Sequence, residues 1–270
     1  MRLATTVVAV PLILLLLYRG PAVGFYALVF LATIVGAFEL FSMTHEGDKV
    51  ARGVGVALAV ATSLALYSSP TDARVVFTVL LFVTLAGPLV TLWRLGDIPT
   101  AALRAVAMSF GPLYVAGPLA TLALLRCHGD DGASYVVMTL MFAWFSDTAG
   151  YFAGRFLGKR KLYEAVSPKK TIAGSIGGLG GAVLGALLAH FWFLPSIPLA
   201  HAVPLALVAG ALGQAGDLAE SLLKRSTGVK DSGQIVPGHG GILDRVDALL
   251  FTSSIVYVYT LWVAPAAVTR

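Results

Sequence analysis

Long apolar stretches recur along the whole chain, and they constrain its fold more than any other feature. Hydrophobic residues make up 57% of the sequence and charged residues only 12%, whereas an ordinary soluble domain has about 25% charged residues. A soluble fold of 270 residues could not bury so much apolar surface. The sequence therefore predicts an all-α integral membrane protein, with residues 1–270 forming one polytopic membrane domain.

Nine predominantly apolar segments approach the length of about 20 residues that a membrane-spanning helix needs. They cover residues 3–18, 22–44, 53–69, 74–93, 101–125, 133–153, 172–194, 202–222 and 246–264, and the first and third are short. The first segment follows Arg2 and has the form of a secretory signal, but we interpret it as a retained helix. The single cysteine, Cys127, excludes an intramolecular disulfide and a multi-cysteine metal site.

The basic residues predict how these spans are oriented. If the N-terminus lies inside, only Arg19, Arg74, Arg126 and Arg270 fall on the outer side. Cytoplasmic loops of membrane proteins carry the excess of Lys and Arg, so nine spans with the C-terminus outside are predicted. The same rule accounts for the net charge of +5, and we expect no nucleic-acid partner.

Two segments on the predicted cytoplasmic side, residues 146–171 and 217–247, hold most of the polar residues of the C-terminal half. An ionisable residue inside a span costs at least ~2.5–3.5 kcal/mol on insertion scales, so it is a functional candidate by default. The first segment carries Asp147 deep in the sixth span and Ser167-Pro168-Lys169-Lys170-Thr171 before the seventh. On spacing alone, that run fits either an anion cradle at a helix N-terminus or a basic loop that only sets topology.

The second segment combines acidic and basic residues on one helical face. Its members are Asp217, Glu220, Ser221, Lys224 and Arg225. Snorkelling to lipid headgroups would explain the two basic residues but not the acids, which lie a turn deeper. A glycine-rich loop around His239 then leads to Asp244 and Asp247, which share a helical face. Carboxylates without clustered Cys or His suit Mg²⁺, and neighbouring Lys and Arg suit phosphoryl or nucleotidyl transfer.

The second segment also closely resembles the signature motif of the phosphatidate cytidylyltransferases, or CDP-diacylglycerol synthases. The matching residues are Ser221, Lys224, Arg225, Lys230, Asp231, Pro237-Gly238-His239-Gly240-Gly241, Asp244, Arg245 and Asp247. The run from Ser167 to Thr171, and the Gly154-Arg155 and Gly158-Lys159 pairs, are also similar to that family. The sequence departs from the family at Ile172-Ala173, where Trp-Glu is common, and at Arg160, where a His is common. Residues 1–130 resemble the family only in their apolar, multi-span character.

The resemblance implies an enzyme that transfers CMP from CTP to phosphatidic acid and releases CDP-diacylglycerol and pyrophosphate. It implies a homodimer in the bacterial inner membrane, whose polar funnel opens to the cytoplasm and to membrane lipid. Residues 1–130 would supply scaffold spans and dimer contacts, and residues 131–270 the catalytic spans and loops.

The resemblance also assigns site residues. It implies a metal centre on Asp217 and Asp244, for which the residues themselves predict Mg²⁺; whether a second cation joins it stays open. The expected catalytic residues are Ser221, Lys224, Arg225, Lys230, Asp231, His239, Arg245 and Asp247. The expected substrate-binding residues are Ser167, Lys169, Lys170, Thr171, Gly238, Gly240 and Gly241.

Other functions share parts of this pattern. A CTP-dependent polyprenol or isoprenoid-alcohol kinase, or a CDP-archaeol synthase, could use similar residues, but the complete loop from Ser221 to Asp247 favours the phosphatidate enzyme. A cation-coupled transporter would distribute its charged or broken segments through both halves of the chain. A structural membrane scaffold would not need acids and bases to converge. The concentration of charge on one side favours an enzyme over both.

Overall fold

The computed structural model of the protein describes residues 2–233 and 240–264, with side chains from residue 10 onward. This part of the chain contains nine α-helices and two short strands. The elements are α1 (Arg2–Arg19), α2 (Ala22–Thr44), α3 (Lys49–Ser68), α4 (Ala73–Trp93), α5 (Ile98–Arg126), α6 (Gly132–Leu157), β1 (Lys161–Tyr163), β2 (Ser167–Thr171), α7 (Ile172–Trp192), α8 (Leu199–Ser226) and α9 (Leu243–Trp262).

The helices match the predicted apolar segments, and the prediction of a helical multi-pass membrane protein is confirmed. Six helices are long and apolar enough to cross a bilayer by length and composition: α2, α3, α4, α5, α7 and α8. Helices α6 and α9 carry ionisable residues, and α1 is apolar from Val10 to Arg19. Helix α8 extends about a turn beyond residues 202–222 at its C-terminal end, because its polar face continues in helical conformation to Ser226.

Helix starts at several turns are fixed by side chains that accept hydrogen bonds from otherwise unpaired backbone N–H groups. The Asp48 carboxylate accepts from the Val50 and Ala51 amides, and the Asp97 carboxylate accepts from Thr100. Thr171 does the same for α7, where its Oγ1 lies 3.0 Å from the Gly174 amide nitrogen. These caps set where the helices begin.

Helices α6 and α7 pack against each other more closely than any other pair of described elements. Glycines make this possible: a Cβ atom on Gly150 would lie 3.1 Å from the Gly174 carbonyl oxygen, and one on Gly181 would overlap the Phe145 carbonyl. Helix α8 packs against α7 and α9, while α2, α3 and α4 surround α5. Close α6–α7 contact fixes the position of the hairpin that connects these two helices.

This connection is an antiparallel β-hairpin, a feature that an all-α prediction did not include. Pro168 disfavours helical conformation at the residue before it, Ser167. The strand β2 begins at that residue. The Lys161 Nζ donates to the Pro168 carbonyl oxygen at 2.6 Å, and the Ile172 amide donates to the Arg160 carbonyl at 3.1 Å. The Ser167–Thr171 segment is therefore a strand leading into α7, rather than an irregular loop.

Candidate active site

The hairpin is held against the end of α6 by two glycines. A Cβ atom on Gly158 would lie 2.7 Å from the Thr171 Oγ1, and one on Gly154 would lie 3.0 Å from the same atom. Only a residue without a side chain allows this approach. The Gly154 and Gly158 pattern in the sequence thus has a packing function: it lets Thr171 of the strand Ser167–Thr171 lie against the end of α6.

An ion pair joins that strand to the polar face of α8. The Lys170 Nζ lies 2.6 Å from the Asp217 Oδ2 and is itself buried, while 26% of the Lys170 side chain and 30% of the Asp217 side chain are exposed. The structure therefore brings together two segments that the sequence analysis connected only through charge and resemblance.

Further along α8, Lys224 is enclosed by two carboxylates. Its Nζ lies 2.6 Å from the Asp244 Oδ1 and also contacts the Glu220 Oε2. The Glu220 side chain is fully buried and the other two are nearly so. Buried charges are stable only when they are paired, so this cluster locks the end of α8 to the start of α9.

The second oxygen of Asp244 organises the segment around it. The Asp244 Oδ2 accepts hydrogen bonds from the Ser232 amide at 3.0 Å, the Ser232 hydroxyl at 2.9 Å and the Gly241 amide at 2.9 Å. Gly240 has a positive φ of 79°, and a Cβ atom there would lie 2.8 Å from the same oxygen. Glycine is the residue that tolerates both conditions.

Three acidic side chains, one each from α6, α8 and α9, lie within electrostatic range of one another. The carboxylates of Asp147, Asp217 and Asp247 act electrostatically on one another, and Lys170 and Arg245 act on Asp147 with the opposite sign. The Asp247 Oδ1 accepts from the Ala248 amide at 2.7 Å. Asp147, whose role the sequence left open, thus belongs to the same polar region as the two predicted site residues.

Tyr114 of α5 was not found by sequence reasoning. Its side chain is only 6% exposed, and the charges of Glu220, Asp247 and Asp217 act on its hydroxyl group. That hydroxyl has no hydrogen-bond partner among the residues that the structure describes. A tyrosine in an apolar span is usually a packing residue, so the sequence offered no signal for it.

The other predicted site residues differ in exposure. The Arg225 Nη1 donates to the Val229 carbonyl at 3.3 Å, which holds Arg225 at the end of α8. Lys169, Lys230, Asp231 and Arg245 are exposed, whereas Ser167 and Ser221 are partly buried. Gly238 and His239 lie outside the described residues, so their predicted roles have no structural counterpart here.

The chemistry of the donor atoms fits Mg²⁺, which binds oxygen ligands and needs only one or two carboxylates when phosphates and water complete its shell. The Asp217 carboxylate is accessible and forms an ion pair with Lys170. Asp244 is engaged with four donors, so only its Oδ1 has capacity left. Within residues 2–233 and 240–264, no three acidic, His or Cys side chains form a ready metal cluster.

Glu39 of α2 is a further residue that the sequence analysis did not identify. It is 2% exposed, and its carboxyl group contacts Ser232, Ile242 and Leu243. A signal was available, because an acid within an otherwise apolar span is a functional candidate by default.

A cavity of about 480 Å³ lies elsewhere, between the α2–α3 and α4–α5 turns. The two arginines that line it are paired within the protein: the Arg94 Nε lies 3.1 Å from the Asp48 Oδ2, and the Arg104 Nη2 donates to the Asp97 carbonyl at 2.8 Å. Together with two backbone amides, Arg94 holds the pKa of the Asp48 carboxyl below its ordinary value. These contacts stabilise the two turns.

Comparisons with known proteins show the family of the chain. The sequence model of the cytidylyltransferase family matches residues 1–263. A phosphatidate cytidylyltransferase of Brucella suis is 42% identical over 174 residues, which cover 63% of this chain and 60% of the relative's length. One from Synechocystis is 32% identical over 299 residues, covering 98% and 97%. One from Bacillus subtilis is 41% identical over 133 residues, covering 49% of each.

Proposed function

The chain belongs to the cytidylyltransferase family, and from that premise we propose that it transfers CMP from CTP to phosphatidic acid, giving CDP-diacylglycerol and pyrophosphate. The relatives named above carry that activity in their names. Within this chain, the ion pair between Lys170 and Asp217 carries the proposal, because it joins the Ser167–Thr171 strand to the α8 segment that bears the family motif.

The charge at this end of the bundle suits two anionic substrates. CTP brings about four negative charges and phosphatidate nearly two. Lys169, Lys230 and Arg245 are exposed here, and Lys170 is partly so. Lys224 differs from them in burial, since it is enclosed between Glu220 and Asp244. We therefore assign substrate binding to the accessible basic residues, and assign to Lys224 the placement of Asp244.

In the proposed reaction, a phosphate oxygen of phosphatidate attacks the α-phosphorus of CTP. A new P–O bond forms to that phosphorus as its bond to the bridging oxygen of the β-phosphate breaks, and pyrophosphate leaves with the electron pair. A phosphate monoester has a second pKa of roughly 6, so the attacking oxygen is already ionised near neutral pH. The reaction needs no strong general base. His239 is therefore proposed as a hydrogen-bond donor to a substrate phosphate.

Mg²⁺ is the proposed cofactor, and Asp217 and Asp244 are the proposed ligands. When bound, it would neutralise phosphate oxygens and stabilise the departing pyrophosphate. The partly exposed Asp217 side chain and the remaining capacity of the Asp244 Oδ1 support this assignment. The Asp244 Oδ1 that would hold the metal already accepts a hydrogen bond from Lys224.

We further propose that the protein lies in the inner membrane of a bacterium as a homodimer, with this polar region facing the cytoplasm as a funnel. Two points support the orientation: CTP is a cytoplasmic nucleotide, and the exposed basic residues of the hairpin and of the α8–α9 connection follow the positive-inside rule.

The test is incubation of purified protein with CTP, Mg²⁺ and phosphatidate, with lipid and nucleotide products identified by mass. We expect CDP-diacylglycerol and pyrophosphate in equal amounts. Parallel reactions contain a polyprenol or an ether-linked archaeal phosphatidate analogue, and the Asp217→Asn variant serves as the inactive control.

The products separate the alternatives. A CTP-dependent kinase would release CDP and a phosphorylated alcohol, and a CDP-archaeol synthase would prefer the ether-linked substrate. Protein that binds CTP but makes none of these products would contradict the proposal and favour transport.

A further inference from the structure

Glu39 reaches from α2 into the family motif. Its Oε1 accepts a hydrogen bond from the Ile242 amide at 3.0 Å, and its Oε2 accepts one from the Leu243 amide at 2.8 Å. The Ser232 hydroxyl donates to the same Oε2 at 3.2 Å, from 193 residues away in the sequence. The side chain is 2% exposed. A buried carboxyl group in a membrane span is costly, so these three bonds offset a real desolvation penalty.

Two of these bonds are made to backbone amides at the start of α9. The first N–H groups of a helix have no partner within that helix, and the helix dipole places partial positive charge there. At α9 the residue before the helix, Ile242, supplies no side-chain cap. Glu39 takes that role from a different helix, and so it fixes the start of α9 relative to α2.

Two glycines of the segment 217–247 lie directly against this carboxyl group. A Cβ atom on Gly233 would lie 2.6 Å from the Glu39 Oε1, and one on Gly241 would overlap both Glu39 and Ser232. Neither glycine has a positive φ, so backbone conformation does not explain them. The space that the Glu39 carboxyl group occupies explains both glycines.

Glu39 is linked to Asp244 through a shared neighbour. The Ser232 hydroxyl lies 3.2 Å from the Glu39 Oε2 and 2.9 Å from the Asp244 Oδ2, while the Ser232 amide also donates to Asp244. Asp244 stands one residue beyond Leu243, whose amide Glu39 holds. A movement of the Glu39 carboxyl group would therefore shift both the helix turn and the hydroxyl that orient Asp244.

We propose that Glu39 is a positioning residue of the active site, which sets the orientation of Asp244 by capping α9 and holding Ser232. Its effect on turnover rests on the proposed function, whereas its effect on the α9 amides does not.

The test compares Glu39→Gln with Glu46→Gln, which removes the same charge from an exposed position near the end of α2. In the first variant the amide side chain would turn an NH₂ group toward at least one backbone N–H, so a cap bond is lost. We expect hydrogen exchange of peptides covering residues 240–245 to accelerate about tenfold or more. We expect kcat per folded molecule to fall at least tenfold, with KM for both substrates changed less than about threefold. Glu46→Gln should match the wild type in all three.

Gly233→Ala is a second test, which keeps the Glu39 residue but displaces its carboxyl group. Its Cβ atom would meet the end of a flexible side chain, so the protein can fold while the carboxyl group moves. It should reproduce the faster exchange and the lower kcat.

If Glu39 only stabilises the fold, both variants would melt earlier but their folded fractions would keep wild-type kcat, and the proposal would be overturned. Unchanged exchange at residues 240–245 would overturn it as well. If the wild-type protein makes no CDP-diacylglycerol, the proposed function fails, yet the exchange measurement still decides the capping role.

Discussion

Asp217 and Asp244 have different surroundings, so the same substitution should act differently at each residue. Asp217→Asn removes an accessible carboxylate that pairs with Lys170, and we expect turnover to fall by about 100-fold or more with little change in Tm. Asp244→Asn should abolish turnover and also lower Tm, because breaking a buried ion pair costs about 3–5 kcal/mol. Activity assays and thermal unfolding of the purified variants measure both effects.

Asp130→Asn is the matched control for these two substitutions. Asp130 is exposed in the α5–α6 turn, at the opposite end of α6 from the hairpin, so its loss should alter neither quantity. An Asp217→Asn protein that retains near wild-type activity at limiting Mg²⁺ would show that this carboxylate does not hold the metal.

At the scale of elements, the hairpin should contribute to substrate binding through one lysine more than the other. Lys170 pairs with Asp217, whereas Lys169 is exposed on the strand. Lys170→Ala should lower kcat/KM about tenfold or more, equivalent to ~1.4 kcal/mol, and Lys169→Ala should have a smaller effect. Steady-state kinetics with each substrate varied in turn will measure this. Full kcat/KM in two correctly inserted variants would mean that these lysines only set topology.

The packing of α6 on α7 gives a matched pair of adjacent substitutions. A Cβ atom at Gly181 would overlap the Phe145 carbonyl, whereas a Cβ atom at Gly180 would meet nothing within 4 Å. Gly181→Ala should lower stability by about 1–3 kcal/mol through overpacking. Gly180→Ala should leave it unchanged or raise it by up to about 1 kcal/mol, because alanine favours the helix. Equal Tm values for the two variants would contradict the observed helix contact.

At the scale of the whole molecule, the alternation of the nine described helices predicts which connections are accessible from each side. In a background without Cys127, cysteines placed at the exposed positions Lys169 and Lys230 should react with a membrane-impermeant reagent only after the cells are opened. One at Arg270, which lies outside the described residues, should react in intact cells. Labelling of position 230 from outside would reverse the orientation and remove the site's access to CTP.

Much of the helical architecture was predictable because apolar length is a local property. The segment 172–194 corresponds to α7 (Ile172–Trp192) almost residue for residue, since Thr171 caps one end of a continuous apolar run. The β-hairpin was missed because its two strands are short and polar. Its form depends on the contacts of Thr171 with Gly154 and Gly158. The division into scaffold residues 1–130 and catalytic residues 131–270 stays a prediction.

The sequence by itself determined that the protein is helical and membrane-spanning, and it determined which polar residues stand apart from the apolar background. Those conclusions follow from residue type and spacing along one chain. Only the tertiary structure decided how those residues are paired: Lys170 with Asp217, Lys224 between Glu220 and Asp244, and Glu39 with the start of α9. Such pairs depend on how helices distant in sequence pack. A single acid in an apolar span carries no information about which helix end, 204 residues later, it will cap.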